Sequence, residues 1–297
     1  MKSLPLSAHP GVSRRLSSLR GKLRHLGFSI GAGIIALIVI CAVFAPWLAT
    51  ADPYLQNVSQ RMIPPVWHEG GSMAHPLGTD QLGRDYYSRL VYGSRISLVI
   101  GIGTVLISSV IGITLGALAG FFGGKIDAAV SFVLSVRLAI PVILVALAVS
   151  ALAGSSLVTV ILTLGFLLWD RFAVVARSLF QQLRAQDYVA AARAIGCSSW
   201  RIVLHEILPN AANALVVVAT LEMAHAILLE AALSFLGLGV RPPTPSWGLM
   251  ISEGKSYMFF SPWVIAIPGA ALFLLVLAIN LLGDGIRDLS EAKGRGR

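Results

Sequence analysis

The chain has 297 residues, of which 56% are apolar and 12% charged, whereas soluble domains carry roughly a quarter charged residues. That balance excludes a water-soluble enzyme or binding domain and makes lipid the main solvent. The formal charge of +9 comes without a separate basic domain or stacking motif, so it argues against nucleic acid and for Lys and Arg held on one side of a membrane. Cys41 lies in an apolar run and Cys197 in a polar loop, so they make no disulfide framework.

Residues 1–27 carry Lys2, Arg14, Arg15, Arg20, Lys22 and Arg24 with no acid, the pattern of a cytoplasmic tail. Residues 28–49 follow as a first transmembrane helix; Phe28 to Leu48 is uncharged and long enough for the roughly 30 Å hydrocarbon layer. The competing reading is a signal peptide cut near Ala49-Thr50-Ala51, but the run exceeds a typical apolar region of about 7–15 residues. Residues 50–94 form an outer loop, whose second half places tyrosines and arginines at the membrane interface before the second span. Asp80, Arg84 and Asp85 in that stretch read as structural pairing rather than chemistry.

The second span, Ile96 to Phe122, contains Gly101, Gly103, Gly112, Gly116 and Gly120, small residues that let helices approach closely in lipid. A third span from about Ala128 to Gly154 and a fourth from about Leu157 to Val175 form a hairpin. Counted from its outer turn, Arg137 and Asp170 stand at similar depth, and charges at that depth tend to pair. We expect an Arg137–Asp170 ion pair; the alternative is that each snorkels independently to the inner headgroups. The fifth span, Ala211 to Ser234, holds Glu222, His225 and Glu230. Glu222 and His225 share a helix face, but no further ligands are evident, so no metal site is expected. These three residues are candidates for lining a translocation path. The sixth span, about Trp263 to Leu282, is expected to break at Pro268-Gly269.

The most informative stretch is residues 187–210, DYVAAARAIGCSSWRIVLHEILPN. It reads as two short helices joined at Gly196, where a helix end needs a left-handed residue. Ser198 or Ser199 caps the second helix, which presents Ile202, Leu204, Ile207 and Leu208 before Pro209 interrupts it. A connection this long is unusual between membrane helices.

This stretch resembles the EAA loop of ABC-importer permeases: Ala191, Ala192, Gly196, Ile207, Leu208 and Pro209 match, while the glutamate position holds Ala190. Further resemblances are HPLGTDQLGRDYYSRLVYGSRISL from His75 to Leu98, EAALSFLGLGVRPPTPSWG at 230–248, and Asn280 to Asp288. In the third span the family's Arg-x-x-Asp pattern is replaced by Phe132 and Ser135, although Ala139-Ile140-Pro141 is kept. Together these motifs are similar to the C-type transmembrane subunit of bacterial importers for dipeptides, oligopeptides and nickel.

The resemblance implies an all-α polytopic membrane protein with six transmembrane helices, the type I ABC importer permease fold and both termini cytoplasmic. Residues 95–284 would be the permease core and 285–297 a cytoplasmic tail. It implies a half-pore in the bacterial inner membrane, paired with a homologous B-type permease. Two ATP-binding subunits would dock on the 187–210 loop, and a soluble periplasmic binding protein would deliver substrate. No cofactor is implied, and catalysis belongs to the partners, since no phosphate-cradling Gly-x-x-x-x-Gly-Lys-Ser/Thr loop is present. The alternative is a stand-alone channel or proton-coupled carrier using Glu222, His225 and Glu230. Against it, the chain has no obvious internal repeat.

Overall fold

The computed structural model describes residues 10–294, with side chains described for residues 26–288. The tail cations Lys2 to Arg24 and Lys293 to Arg297 lie outside the described side chains. The described chain is almost entirely helical. Helix α1 (Pro10–Val43) and a short turn at Ala45–Leu48 lead to a loop that ends at α2 (Tyr86–Phe122). Then come α3 (Gly124–Ala139), α4 (Val142–Ala153), α5 (Leu157–Leu167), α6 (Asp170–Leu183) and α7 (Asp187–Ala194). The chain closes with α8 (Ser199–Phe235), α9 (Trp247–Gly254) and α10 (Trp263–Gly294). Among the described residues, five helical stretches are long and apolar enough to cross a membrane, and α3–α4 would make a sixth as a pair bent by 80°.

The expected spans change in four places, each for a local reason. The third is not straight: Ile140 precedes Pro141 and takes an extended backbone (φ −103°, ψ 121°), as residues before proline do, and α4 restarts beyond it. The fourth is interrupted at Leu168-Trp169, between α5 and α6. The fifth does not begin after a proline break, because α8 runs unbroken from Ser199 through a π-helical stretch, Ile202–Ile207, into the span. Pro209 is absorbed there, within the first turn after the π segment. The sixth does not break at Pro268, which lies inside α10. Proline removes one donor and so frees the carbonyl four residues earlier; the buried Tyr86 hydroxyl donates to that carbonyl, Val264 O.

Helix α2 is the axis of the fold. At one end its first turn packs with Trp247, Met250, Val264 and Ile227, joining α2, α8, α9 and α10. At the other end Ala117 and Phe121 pack with Ala176, Phe180, Val189, Ile202 and Ile207, joining α2, α6, α7 and the start of α8. Between these ends Gly112, Gly116 and Gly120 form one stripe against α6. A Cβ on Gly116 would stand 2.5 Å from Ala173 O and 2.7 Å from Ala176 Cβ, so the two backbones touch.

The loop before α2 is held by buried charge. Asp80 accepts from Arg84 Nε at 2.6 Å and is paired with Arg89, and both guanidiniums reach Glu253 of α9, at 3.1 and 2.8 Å. Structural pairing of Asp80 and Arg84 thus stands, with Arg89 and Glu253 added. Trp247 opens α9, is buried, and donates from Nε1 to Leu90 O at 2.8 Å.

Asp85 caps α2 by accepting from Ser88 N and the Thr50 hydroxyl, each at 2.8 Å, and lies 2.8 Å from His75 Nδ1. Burial raises this carboxyl, but hydrogen bonds from Ser88, His75 and Thr50 outweigh it and leave Asp85 below its ordinary 3.8. A depressed folded value means that the stabilisation is complete above the unfolded value and is lost as pH falls from 3.8 through the folded value. Asp85→Asn is expected to flatten the pH dependence of the thermal midpoint below about pH 4 in the solubilised protein. An unchanged slope in that window would remove Asp85 as its source.

Candidate functional site

Residues 187–210 form a compact platform at the α6–α7 end. Helix α7 closes with a Schellman motif: Cys197 N donates to Ala192 O and Gly196 N to Arg193 O, each at 3.0 Å. Gly196 sits at φ +83° with open space around it, so its conformation, not crowding, demands glycine. Ser198 caps α8, its hydroxyl accepting from Arg201 N at 3.4 Å. Val189, Ala192, Ile202, Val203 and Ile207 are buried against α2 and α6. Ala190, Ala191, Gly196 and Pro209 are exposed, as are Ile195, Trp200 and Leu204, while Leu208 is half-buried. The segment therefore has a packed inner face and an outer face that mixes Ile195, Trp200 and Leu204 with Asp187, Arg193 and Arg201, and α8 carries it without a break into the membrane span.

A second site lies beside the breaks in α3–α4 and α5–α6. A cleft of about 240 Å³ is walled by Leu138, Val174, Val175, Val218 and Leu221, and Asp170, Arg171 and Glu222 line it. Glu222 is buried, Arg171 is 59% exposed, and Arg171 Nη1 stands 3.2 Å from Glu222 Oε1. That contact has ion-pair distance without hydrogen-bond alignment, so Oε1 stays without a hydrogen bond. His225 Nδ1 lies 3.4 Å from the other oxygen, Glu222 Oε2.

Residues 112–296 match the model of the binding-protein-dependent transport system inner membrane component. Residues 23–65 match the N-terminal transmembrane domain of oligopeptide transport permease C. The chain belongs to this permease family. Relatives include the di/tripeptide transport system permease protein DppC of Pseudomonas aeruginosa, 42% identical over 89% of this chain and 87% of that one. The probable D,D-dipeptide transport system permease protein DdpC of Escherichia coli is 38% identical over 90% and 87%. The glutathione transport system permease protein GsiD of Pectobacterium atrosepticum is 39% identical over 89% and 87%. In fold, the chain is similar to the methionine ABC transporter MetNI in inward-facing crystals, with a TM-score of 0.55, 21% identity, and coverage of 67% of this chain and 95% of that one. The protein is a transmembrane permease subunit of a binding-protein-dependent ABC importer, multi-pass in the inner membrane.

Within this permease the expected Arg137–Asp170 ion pair does not form. Arg137 donates from Nε to Leu167 O at 2.9 Å, again from Nη2 to the same oxygen, and from Nη1 to Ile140 O at 3.4 Å. It therefore sits at the carbonyl ends of α3 and α5, where helix dipoles favour a cation. Asp170 occupies the first turn of α6, where the dipole favours an anion. Arg137 is hydrogen-bonded at helix ends that exist only because the spans are broken, and Asp170 is favoured, though not hydrogen-bonded, by another. Nor do the three path candidates stay together. Glu222 and His225 meet at the cleft, whereas Glu230 is enclosed elsewhere, accepting from Ser234 at 2.7 Å and Ser246 at 3.0 Å. Glu230 ties α8 to the start of α9. Besides Leu204, the platform exposes Ile195 and Trp200, which only packing reveals.

Proposed function

We propose that this permease forms half of a path for di- and oligopeptides, the other half being a homologous B-type permease. Two ATP-binding subunits dock on the platform at residues 187–210, and a periplasmic binding protein delivers substrate at the α9 end. Both termini are cytoplasmic, and this chain itself hydrolyses no nucleotide. The observation that carries the reading is the platform: it leaves Ala190, Ala191 and Ile195 exposed, and α8 continues from it without a break. A push on Ala190, Ala191 and Ile195 thus reaches α8 through the buried contacts of Val189 and Ala192 with Ile202, Val203 and Ile207, and α8 extends unbroken to Glu222. Closure and reopening of the ATPase pair would move the permease between two global states, with the loaded receptor biasing the same equilibrium. The peptide assignment is supported by the transport systems named for the relatives.

Purification from native membranes in mild detergent, followed by mass spectrometry, should recover a second permease and ATPase subunits. Gly196→Val should cut ATPase recovery and ATP-dependent dialanine uptake together, because a β-branched residue at φ +83° carries a penalty of about 1–2 kcal/mol and alters the platform's outline. Glu222→Gln should spare ATPase recovery. A chain recovered alone that moves solute into liposomes without ATP would overturn this reading in favour of a carrier.

A further inference from the structure

We infer that the cleft at Asp170, Arg171 and Glu222 is a waypoint for the charged ends of a zwitterionic solute, passed along by ion-pair exchange. The inference rests on the peptide reading for the identity of that solute, while the site itself stands on three observations.

The first is an unused acceptor. Glu222 has a side chain 1% exposed, yet Oε1 makes no hydrogen bond. A buried carboxylate oxygen at membrane depth is costly unless something completes it. The second is the charge count. Two carboxylates and one guanidinium line the cleft, leaving it one cation short, and the donors of nearby Arg137 are turned to the Leu167 and Ile140 carbonyls. Asp170 is itself buried and accepts no side-chain hydrogen bond among the described residues. The third is the asymmetry of the resident pair. Glu222 is held in α8, whereas Arg171 is 59% exposed and sits on a long flexible stem.

These features suit an exchange. The ammonium of a peptide takes the place of the Arg171 guanidinium against Glu222 and Asp170. Arg171, released, swings to the peptide carboxylate, a group its planar fork matches. With the peptide in place both carboxylates face a cation and Arg171 faces a carboxylate, so a solute with both charges crosses the apolar wall formed by Leu138, Val174 and Leu221 without the desolvation penalty of a bare ion. A solute with blocked ends gains nothing from the exchange.

The test uses the intact complex in detergent, with Cys41 and Cys197 replaced and Leu221→Cys introduced at the cleft wall. A cationic, membrane-impermeant thiol reagent should label this position. Glycylglycine should slow labelling by about tenfold, the worth of one charge-assisted hydrogen bond, whereas N-acetyl-glycylglycinamide should not. Glu222→Gln should abolish the protection, and Arg171→Lys should retain most of it, which a merely structural role for the pair would not produce. No labelling in resting or ATP-hydrolysing complex would mean that lipid or the second permease seals this face, and would overturn the proposal. Equal protection by both peptides would overturn it too. Dialanine uptake by the same wild-type complex in liposomes separates the two readings. Uptake without selective protection sinks the waypoint alone; selective protection without uptake sinks the peptide assignment and leaves the charged site.

Discussion

Gly116→Leu is expected to prevent α2 and α6 from seating, and so to abolish a monodisperse, assembled permease. The glycine stripe places helix backbones in contact, and even the single carbon of alanine would stand 2.5 Å from Ala173 O. Gly116→Ala should therefore cost about 1–3 kcal/mol, typical of overpacking, and leucine more. The damage reaches beyond the seam, because α6 and α2 jointly carry Phe180, Phe121 and Ala117, on which Val189, Ile202 and Ile207 of the platform rest. Size-exclusion profiles and thermal midpoints in detergent check this, with Gly269→Ala as control, since a Cβ there meets nothing within 4 Å. A Gly116→Leu protein that elutes and melts like the wild type would refute close approach at this seam.

Asp80→Ala should give the second large effect, at the opposite end. Asp80 is 1% exposed. One of its oxygens accepts from Leu82 N and Arg84 N, each at 2.9 Å, and the other serves both Arg84 and Arg89. Removing it leaves two buried guanidiniums sharing Glu253 alone. Breaking a buried charge network from one side costs about 3–5 kcal/mol. The comparison is Arg177–Asp127 at the platform end, 35% and 22% exposed with Nη2 2.9 Å from Oδ2. Such a pair is worth about 1 kcal/mol or less, and it weakens further with salt. Denaturation of the solubilised variants should rank Asp80→Ala well below Asp127→Ala in stability; the reverse order would show that solvent reaches the Asp80 network.

Much of the architecture was legible because its causes are local or compositional. Apolar runs set by lipid thickness mark the spans, and the glycine stripe announces close packing. The glycine at 196 reads as a helix end because left-handed backbone excludes most side chains, and it closes a Schellman motif. The charges were harder. Arg137 and Asp170 were expected to pair because continuous helices would put them at equal depth. The 80° bend and the break at Leu168-Trp169 instead supplied helix ends, and a helix end favours one charge without needing the other. Helix α9 is not legible in the sequence because eight residues opening with tryptophan and glycine carry little periodic signal. Only its capping residue, Ser246, marks it locally.

The sequence by itself determined that this is a polytopic membrane permease with a platform at residues 187–210, because hydropathy, glycine placement and motif order are properties of the chain read one segment at a time. The tertiary structure decided which polar residues keep company: Glu222 with Arg171, Arg89 with Glu253, Glu230 with Ser246. Those partners lie on different helices, and their meeting depends on crossing geometry and helix breaks. In lipid, a buried charge takes whichever partner that geometry brings within reach.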